Sequence, residues 1–161
     1  MAGRFFDQFR VGDRFVHEIR RTVTEADNTL FCALTSNPAP SHIDRSYAEQ
    51  TEFGQPLINS IFTLGLIVGL SIQDTTLGTT VGNLGWEETR FPNPVFPGDT
   101  LRAETEVVAL RPSQSRPGQG IVTFRHMGFN QRDELVCQCQ RLALMLGSPA
   151  PEQTGEDGEH A

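Results

Sequence analysis

The stretch NSIFTLGLIVGLSIQD, residues 59–74, constrains the fold more than any other part of this sequence. Its apolar residues fall at nearly every helical position instead of along one stripe, which is typical of a helix that lies inside a protein. The longest apolar run, Ile61 to Ile72, covers about twelve residues and is too short to cross a bilayer. We therefore predict a buried helix that begins at Asn59 or Ser60 and is wrapped by the rest of the chain.

Downstream of this helix, four stretches alternate apolar and polar residues in the manner of β-strands. They span residues 79–91, 99–111, 120–131 and 134–146. Segments rich in proline, glycine and asparagine separate them, and such residues are typical of turns. Strands joined in succession predict an antiparallel meander, and a shorter strand is predicted over residues 14–23. The fold class is therefore α+β, with an antiparallel sheet wrapped around the long central helix.

Two shorter helices are predicted before the buried one. Thr24 is a good N-cap, and acidic residues follow it in the first turn. This helix must end before Pro38, because the residue that precedes a proline is pushed out of the helical region. Asp44 is placed to cap the second helix. The segment between the two helices, TSNPAPSHID, must therefore bend sharply around His42.

Length and charge bound the class of protein. The chain has 161 residues and a formal net charge of −7. That length suits one domain, predicted over residues 1–146, and the acidic, Pro- and Gly-rich segment 147–161 is predicted to be a disordered tail. A nucleic-acid binder needs a basic surface, so the negative charge argues against that class. All 13 basic residues are arginines, which excludes Schiff-base lysine chemistry in this chain.

The cysteines predict the compartment. The sequence has 3 cysteines and no apolar export signal near its start, which favours reduced thiols in the cytoplasm and no membrane association. Cys137 and Cys139 would point to one face of a strand. No second cluster of cysteine or histidine accompanies them, so we expect no metal site and interpret both as small packed side chains.

His42 is the residue whose role the residues alone leave open. A lone histidine between Pro40 and a helix start is as readily structural as catalytic. Asn37, which precedes a proline, is typical of a turn or a helix end. Asp44 fits an N-cap, or a partner that orients another side chain, better than a catalyst. The other histidines, in strand-like runs or in the tail, have no motif around them.

Two segments carry a resemblance to a known family. LTSNPAPSHIDRSYAEQTEFGQPLINS (residues 34–60) and FPNPVFPGDTL (residues 91–101) resemble the MaoC-like branch of the hot-dog fold, which includes the (R)-specific enoyl-CoA hydratases. The resemblance covers roughly residues 8–146. The positions that match the family pattern without gaps are Leu34, Pro40, His42, Asp44, Tyr47, Ala48, Gly54 and Pro56. The resemblance implies a hot-dog fold, a homodimer and an acyl-CoA thioester substrate, with no cofactor apart from the substrate's own coenzyme A.

The sequence departs from the family pattern at two positions. Asn37 stands where the family has a catalytic aspartate, and Ala39 stands where it has an asparagine. An amide cannot take up a proton, so Asn37 is expected to orient the water while His42 alone acts as acid and base. This variant pattern is similar to that of mesaconyl-CoA hydratases and β-methylmalyl-CoA dehydratases. The resemblance therefore implies hydration of a 2-enoyl-CoA, with a short branched dicarboxylic acyl group as one candidate.

The family also implies how the thioester is held. Its buried helix begins at the substrate carbonyl, where unpaired N–H groups and the helix dipole favour negative charge. The matching position is Ser60, followed by Ile61, and Asp44 is the candidate supporting residue. Arg90, Arg102 and Arg125 are candidates for the coenzyme A phosphates. Two other functions stay open: a hot-dog acyl-CoA thioesterase, and a catalytically silent acyl-CoA-binding subunit.

Overall fold

A computed structural model describes residues 3–149 of the chain. Short strands and helices come first: β1 (Arg14–Val16), β2 (Arg21–Thr22), α1 (Glu25–Leu34), α2 (Pro40–Ile43) and α3 (Arg45–Ala48). The long elements follow: α4 (Ser60–Thr75), β3 (Thr80–Arg90), β4 (Thr100–Pro112), β5 (Gly120–Phe129) and β6 (Leu135–Met145). The predicted α+β class is confirmed, and the predicted bounds of the four long strands hold to within two residues.

The strands form one antiparallel sheet in the order β1-β4-β5-β6-β3, with β2 also paired to β4. The predicted first strand is interrupted, and β1 and β2 lie one after the other along the same edge of β4. The strands β4, β5 and β6 form the predicted meander. The prediction was wrong for β3, which pairs with β6 instead of β4. Residues 91–99 are therefore a connection between strands that are not neighbours, and not a tight turn.

Helix α4 packs against the inner face of this sheet, as its apolar sequence requires. Ile67 has no exposed surface and belongs to the main buried cluster, with Leu101 and Val136 from the sheet. Gly128 on β5 lies directly beneath the helix: a Cβ atom there would lie 2.5 Å from Ile67 Cδ1. Helix α4 can therefore approach β5 this closely only because Gly128 has no side chain.

The caps predicted for the helices are confirmed. Thr24 Oγ1 accepts a hydrogen bond from the Asp27 N–H, and Asp27 Oδ2 accepts one from the Thr24 N–H in return. Asp44 Oδ1 accepts from the Tyr47 N–H at the start of α3. Helix α1 ends at Leu34, before the prolines. The short helix α2, which carries His42, was not predicted, and Pro40 occupies its first position, where a missing N–H costs nothing.

Within residues 3–149, no helix combines the length and the apolar character needed to cross a membrane. Most of the predicted tail, residues 147–161, lies outside the described residues. Ser148, near its beginning, donates hydrogen bonds from its N–H and its hydroxyl to the Asp7 carboxylate, at 2.7 and 2.6 Å. These bonds lower the pKa of Asp7.

Candidate active site

A cleft of about 310 Å³ opens between the helix that carries His42, the start of α4 and the β3–β4 connection. His42 and Ser60 line it together with apolar side chains that include Phe53, Phe91 and Val136. Its volume is near the lower end of the range for small-molecule sites. Of the residues predicted for the site, the structure brings His42 and Ser60 together here.

The His42 ring has one fixed hydrogen bond. Its Nδ1 lies 2.8 Å from the carbonyl oxygen of Leu57, another residue of the cleft wall. A carbonyl can only accept, so Nδ1 carries the hydrogen and the lone pair of the neutral ring is on Nε2. The imidazole is half-buried. It therefore has the tautomer and the location that a general base in this cleft requires.

The start of α4 offers a ligand fewer free backbone N–H groups than the sequence predicts. Asn59 Oδ1 caps the helix by accepting from the Ile61 N–H at 2.9 Å, so the Ile61 donor is already used. The Thr63 N–H is bonded to the Asn59 carbonyl oxygen. In the described part of the chain, no acceptor is bonded to the Ser60 N–H. Ser60 is thus the residue at this helix end that both lines the cleft and retains a backbone donor.

Asn37 lies in a separate hollow of about 240 Å³, which it lines with Ile61 and Asn59. Its Oδ1 accepts from the Ala39 N–H at 3.0 Å, a side-chain turn of the kind expected for asparagine before proline. Its backbone N–H donates to the Cys32 carbonyl oxygen. The acceptor atom of Asn37 thus holds the bend, and its amide NH₂ is the part that remains for a ligand.

Asp44 and the candidate arginines lie outside the cleft wall. Asp44 caps α3, and the His42 ring is oriented by the Leu57 carbonyl instead. Arg102 forms ion pairs with Glu104 and Asp133, and Arg125 forms one with Glu106. Arg90 lies at the end of β3, exposed. Two of the three candidates for the coenzyme A phosphates therefore already have carboxylate partners within the chain.

Sequence reasoning missed Asn28 on α1. This side chain is fully buried, and its Nδ2 donates to the carbonyl oxygens of His42 and Leu57, both at 2.8 Å. Its Oδ1 accepts from the Asn59 N–H at 2.8 Å. Four residues before the buried Cys32, it occupies the inward face of an amphipathic helix. A polar side chain on the buried face of a helix needs hydrogen-bond partners, and this is the sequence signal that could have identified Asn28.

The sequence predicts a turn for the β3–β4 connection and does not indicate that this segment lines the cleft. Phe91, at the start of this connection, lines the cleft beside Asn93 and Val95. Asn93 Nδ2 donates to the Leu135 carbonyl oxygen at 2.9 Å and holds the connection to β6. The Ile58 N–H donates to the Val95 carbonyl oxygen, which joins the connection to the segment before α4. These two hydrogen bonds fix the β3–β4 connection in place as one wall of the cleft.

The cysteine pair is not part of the cleft wall and is buried in the sheet. Burial raises the pKa of Cys137 to about 12 and that of Cys139 to about 11. Both remain protonated at neutral pH, and a protonated thiol is a poor nucleophile and metal ligand. Among residues 3–149, no three histidine, cysteine, aspartate or glutamate side chains come close enough together to hold a metal ion.

Residues 7–127 match the model of the MaoC like domain. The chain is 35% identical over 159 residues to mesaconyl-CoA hydratase of Cereibacter sphaeroides, covering 95% of this chain and 45% of that protein. It is 32% identical over 160 residues to β-methylmalyl-CoA dehydratase of Chloroflexus aurantiacus, covering 96% and 45%. The chain thus spans about half the length of these curated relatives.

Solved structures agree in fold. The MaoC-like dehydratase of Rhodospirillum rubrum has a TM-score of 0.79 and 32% identity, covering 92% of this chain and 100% of that chain. Rv0216 of Mycobacterium tuberculosis, described as having a double hot-dog fold, has a TM-score of 0.83 and 25% identity, covering 98% and 48%. The predicted hot-dog fold is confirmed, with α4 as its central helix. The bend around His42, the open end of α4 and these matches lead to one conclusion: the chain belongs to the MaoC-like domain family.

Proposed function

We propose that this chain catalyses the reversible addition of water to the double bond of a 2-enoyl-CoA. The observation that carries the proposal is the His42 ring, oriented by the Leu57 carbonyl so that Nε2 holds the lone pair, in the cleft where α4 begins. The names of the relatives support it, since these longer proteins are called hydratases and dehydratases.

The proposed hydration begins with proton abstraction from water. His42 Nε2 takes a proton from a water molecule as the water oxygen bonds to the β-carbon of the thioester. The electron pair of the double bond moves towards the carbonyl, and the Ser60 N–H and the dipole of α4 stabilise the negative oxygen of the resulting enolate. The His42 imidazolium then gives its proton to the α-carbon. The reverse sequence removes water from a 3-hydroxyacyl-CoA.

Asn37 has a supporting part in this proposal. Asn37 lines a hollow separate from the His42 cleft, but both hollows border the start of α4, at Ile61 and Ser60 respectively. The Asn37 NH₂ is proposed to donate across this helix start to the attacking water or to the thioester, while its carbonyl oxygen holds the turn to Ala39. An amide neither releases nor takes up a proton near neutral pH, so His42 carries out both proton transfers. Asp44 acts only through the backbone, by capping the helix that follows His42.

The acyl group is proposed to be short, because the cleft is small and mostly apolar. The relatives' names favour a branched dicarboxylic acyl group. The described wall of the cleft holds no arginine, and the chain has no lysine. A free carboxylate would therefore need backbone N–H groups or a group from a second copy of the chain, because a buried carboxylate without a partner is costly.

A homodimer is proposed as the working form. Strand β3 pairs only with β6 among the described strands, so its other edge is unpaired. Val81, Leu84 and Trp86 on that strand are exposed. The longer relatives have room for a second domain of this size, which supports pairing of two copies here. We also infer a reducing compartment, the cytoplasm, because all three cysteines are free and buried.

The two other functions have weaker support. A thioesterase of this fold needs a carboxylate near the thioester carbonyl, and no aspartate or glutamate is among the described residues of the cleft wall. A silent binding subunit is compatible with Asn37 in place of an acid. It gives no reason for the orientation of the His42 ring.

One assay separates the three functions. The protein is mixed with crotonyl-CoA or mesaconyl-CoA, and the enoyl absorbance and the release of free thiol are followed together. Loss of absorbance without thiol release is expected for a hydratase. Thiol release would assign a thioesterase, and neither signal would assign a binding subunit. The ratio of the hydration rates with crotonyl-CoA and mesaconyl-CoA reports whether an uncharged or a dicarboxylic acyl group is preferred.

A further inference from the structure

The buried amide of Asn28 joins the two halves of the candidate active site. We propose that Asn28 is a positioning residue that sets the distance and orientation between the His42 base and the Ser60 N–H, an inference that rests on the proposed hydration. The side chain touches neither the cleft nor the reacting atoms in this proposal. It acts through the three backbone groups that it binds.

On the side of the base, Asn28 holds both the backbone of His42 and the carbonyl that orients its ring. Its two N–H bonds go to the His42 and Leu57 carbonyl oxygens, each at 2.8 Å. The Leu57 oxygen also accepts from His42 Nδ1 at 2.8 Å. Both lone pairs of that carbonyl are therefore used, and the ring cannot turn without breaking a bond to a fixed acceptor.

On the side of the thioester, Asn28 holds the residue that caps α4. Its Oδ1 accepts from the Asn59 N–H at 2.8 Å, and Asn59 Oδ1 in turn accepts from the Ile61 N–H. The Ser60 N–H lies between these two bonded groups. A single rigid amide thus ties the base and the backbone donor to α1.

The hydrogen-bonding groups of asparagine match all three partners at this position. Three bonds with two donors and one acceptor match the primary amide, whereas aspartate has no donor when ionised and leucine has neither kind of group. The amide is also neutral at every working pH, so it holds the site without placing a charge beside the base. At zero exposure, every bond that is lost leaves an unpaired buried group.

The test replaces Asn28 in the full chain by leucine, whose side chain has the same branching of heavy atoms but no hydrogen-bonding group. The expected result is a loss of kcat of at least about tenfold with little change in KM, because small misplacement of reacting groups lowers the rate strongly. The matched control is Thr105→Val. Thr105 is equally buried and bonds His17 Nε2 and His126 Nδ1, away from the cleft. This variant should be destabilised as well but keep the parent's kcat per folded molecule.

A second readout does not depend on activity. In the parent, ¹⁵N spectra of the imidazole rings should show His42 as the Nδ1–H tautomer, assigned by the signal that His42→Ala removes. In Asn28→Leu the signal should shift towards a mixture of tautomers, and in Thr105→Val it should stay in place. If the parent protein is inactive, the proposed hydration is wrong, and the tautomer of His42 in Asn28→Leu alone tests whether Asn28 positions the ring. An unchanged His42 signal, or equal losses of kcat in both variants, would overturn the positioning role.

Discussion

At the scale of single residues, the His42 ring combines a fixed proton on Nδ1 with a lone pair on Nε2. A general base contributes roughly a hundredfold or more to a rate. We therefore expect His42→Ala to lower kcat for enoyl-CoA hydration by at least about a hundredfold. The half-buried ring forms one hydrogen bond, so the thermal unfolding transition should change little. A variant that unfolds while its remaining folded fraction is fully active would assign His42 a structural role.

Asn37 is a second test at this scale, because its two polar ends have different partners. Its Oδ1 holds the turn to Ala39, and its NH₂ is the group proposed to donate to the water. Asn37→Asp keeps the acceptor and restores the family's usual acid, so it should retain more activity than Asn37→Leu. Steady-state hydration rates of the two variants at equal folded fraction make the comparison. If the leucine variant is as fast as the parent, Asn37 takes no part in the reaction.

His126 predicts how the free energy of unfolding depends on pH. Burial, with Arg141 and His17 nearby, lowers the pKa of His126 from 6.5 to about 3. In the unfolded chain a histidine takes up a proton near pH 6.5, whereas in the folded protein His126 stays neutral until about pH 3. Its contribution to stability is therefore complete above pH 6.5 and is lost as the pH falls from there towards 3, by up to about 1.4 kcal/mol per unit.

The variant His126→Asn isolates this effect, since an amide keeps a polar group near Thr105 but does not titrate. Between pH 7 and pH 5, the free energy of unfolding of the parent should fall by roughly 2 kcal/mol more than that of the variant. Urea unfolding at both pH values, at one protein concentration, measures the difference. Equal losses in the two proteins would mean that His126 is protonated in the fold or in contact with water.

At the scale of elements, helix α4 and strand β5 approach each other closely at Gly128. A methyl group at Gly128 would lie within 2.5 Å of two atoms of Ile67, both in the buried core. We expect Gly128→Ala to destabilise the protein by about 1–3 kcal/mol, as overpacking usually does. Ile67→Ala removes both atoms and alone should cost about 2–5 kcal/mol.

The double variant decides whether these two costs share one cause. If the clash is between these residues, Gly128→Ala with Ile67→Ala should lose less than the sum of the single variants, by on the order of 1 kcal/mol or more. Chemical unfolding of the four proteins of this cycle gives the coupling free energy. Additive losses would show that the helix moves away from the sheet instead, and that the close approach at Gly128 is not required.

At the scale of the whole molecule, the unpaired edge of β3 predicts assembly. Such an edge pairs readily with another chain unless it is short, charged or interrupted. The strand spans Thr80–Arg90 without a proline, and its charged residues are confined to its second half. Its pairing with β6 shifts register at three points but continues to Arg90. The side of α4 at Gly65 and Gly69 is open, since a Cβ at either would meet nothing within 4 Å. A two-fold dimer would use both surfaces.

We therefore expect a particle of about 36 kDa, twice the 17.8 kDa of the chain, that persists on dilution to nanomolar concentration. Sedimentation velocity across a dilution series measures this. Leu84→Arg on β3 should weaken the dimer, because it places a charge in the paired surface, and Val16→Arg on β1, similarly exposed, is the control. A folded, active monomer would contradict the dimer and any site shared between two copies.

Local patterns were enough to predict the long elements and to single out His42 as the candidate base. The apolar circumference of α4, the cap at Thr24 and the alternation in β4 are properties of consecutive residues, so they can be read from the chain directly. The prolines on either side of Ala39 predict a bend for the same reason. His42 followed from a contiguous motif, and the family resemblance gave it a chemical role that its neighbours alone left open.

Contacts between distant residues could not be predicted in this way. The three backbone partners of Asn28 lie 14, 29 and 31 residues away, and nothing in the sequence near Asn28 indicates them. Pairing of β3 with β6 depends on how the sheet closes over α4, and this pairing makes the β3–β4 connection a wall of the cleft. Ser60 and Ile61 are equivalent donors in the sequence until the Asn59 side chain binds one of them. Hydrogen-bond partners and packing neighbours depend on the fold of the whole chain, because chain segments far apart in sequence must first be brought together.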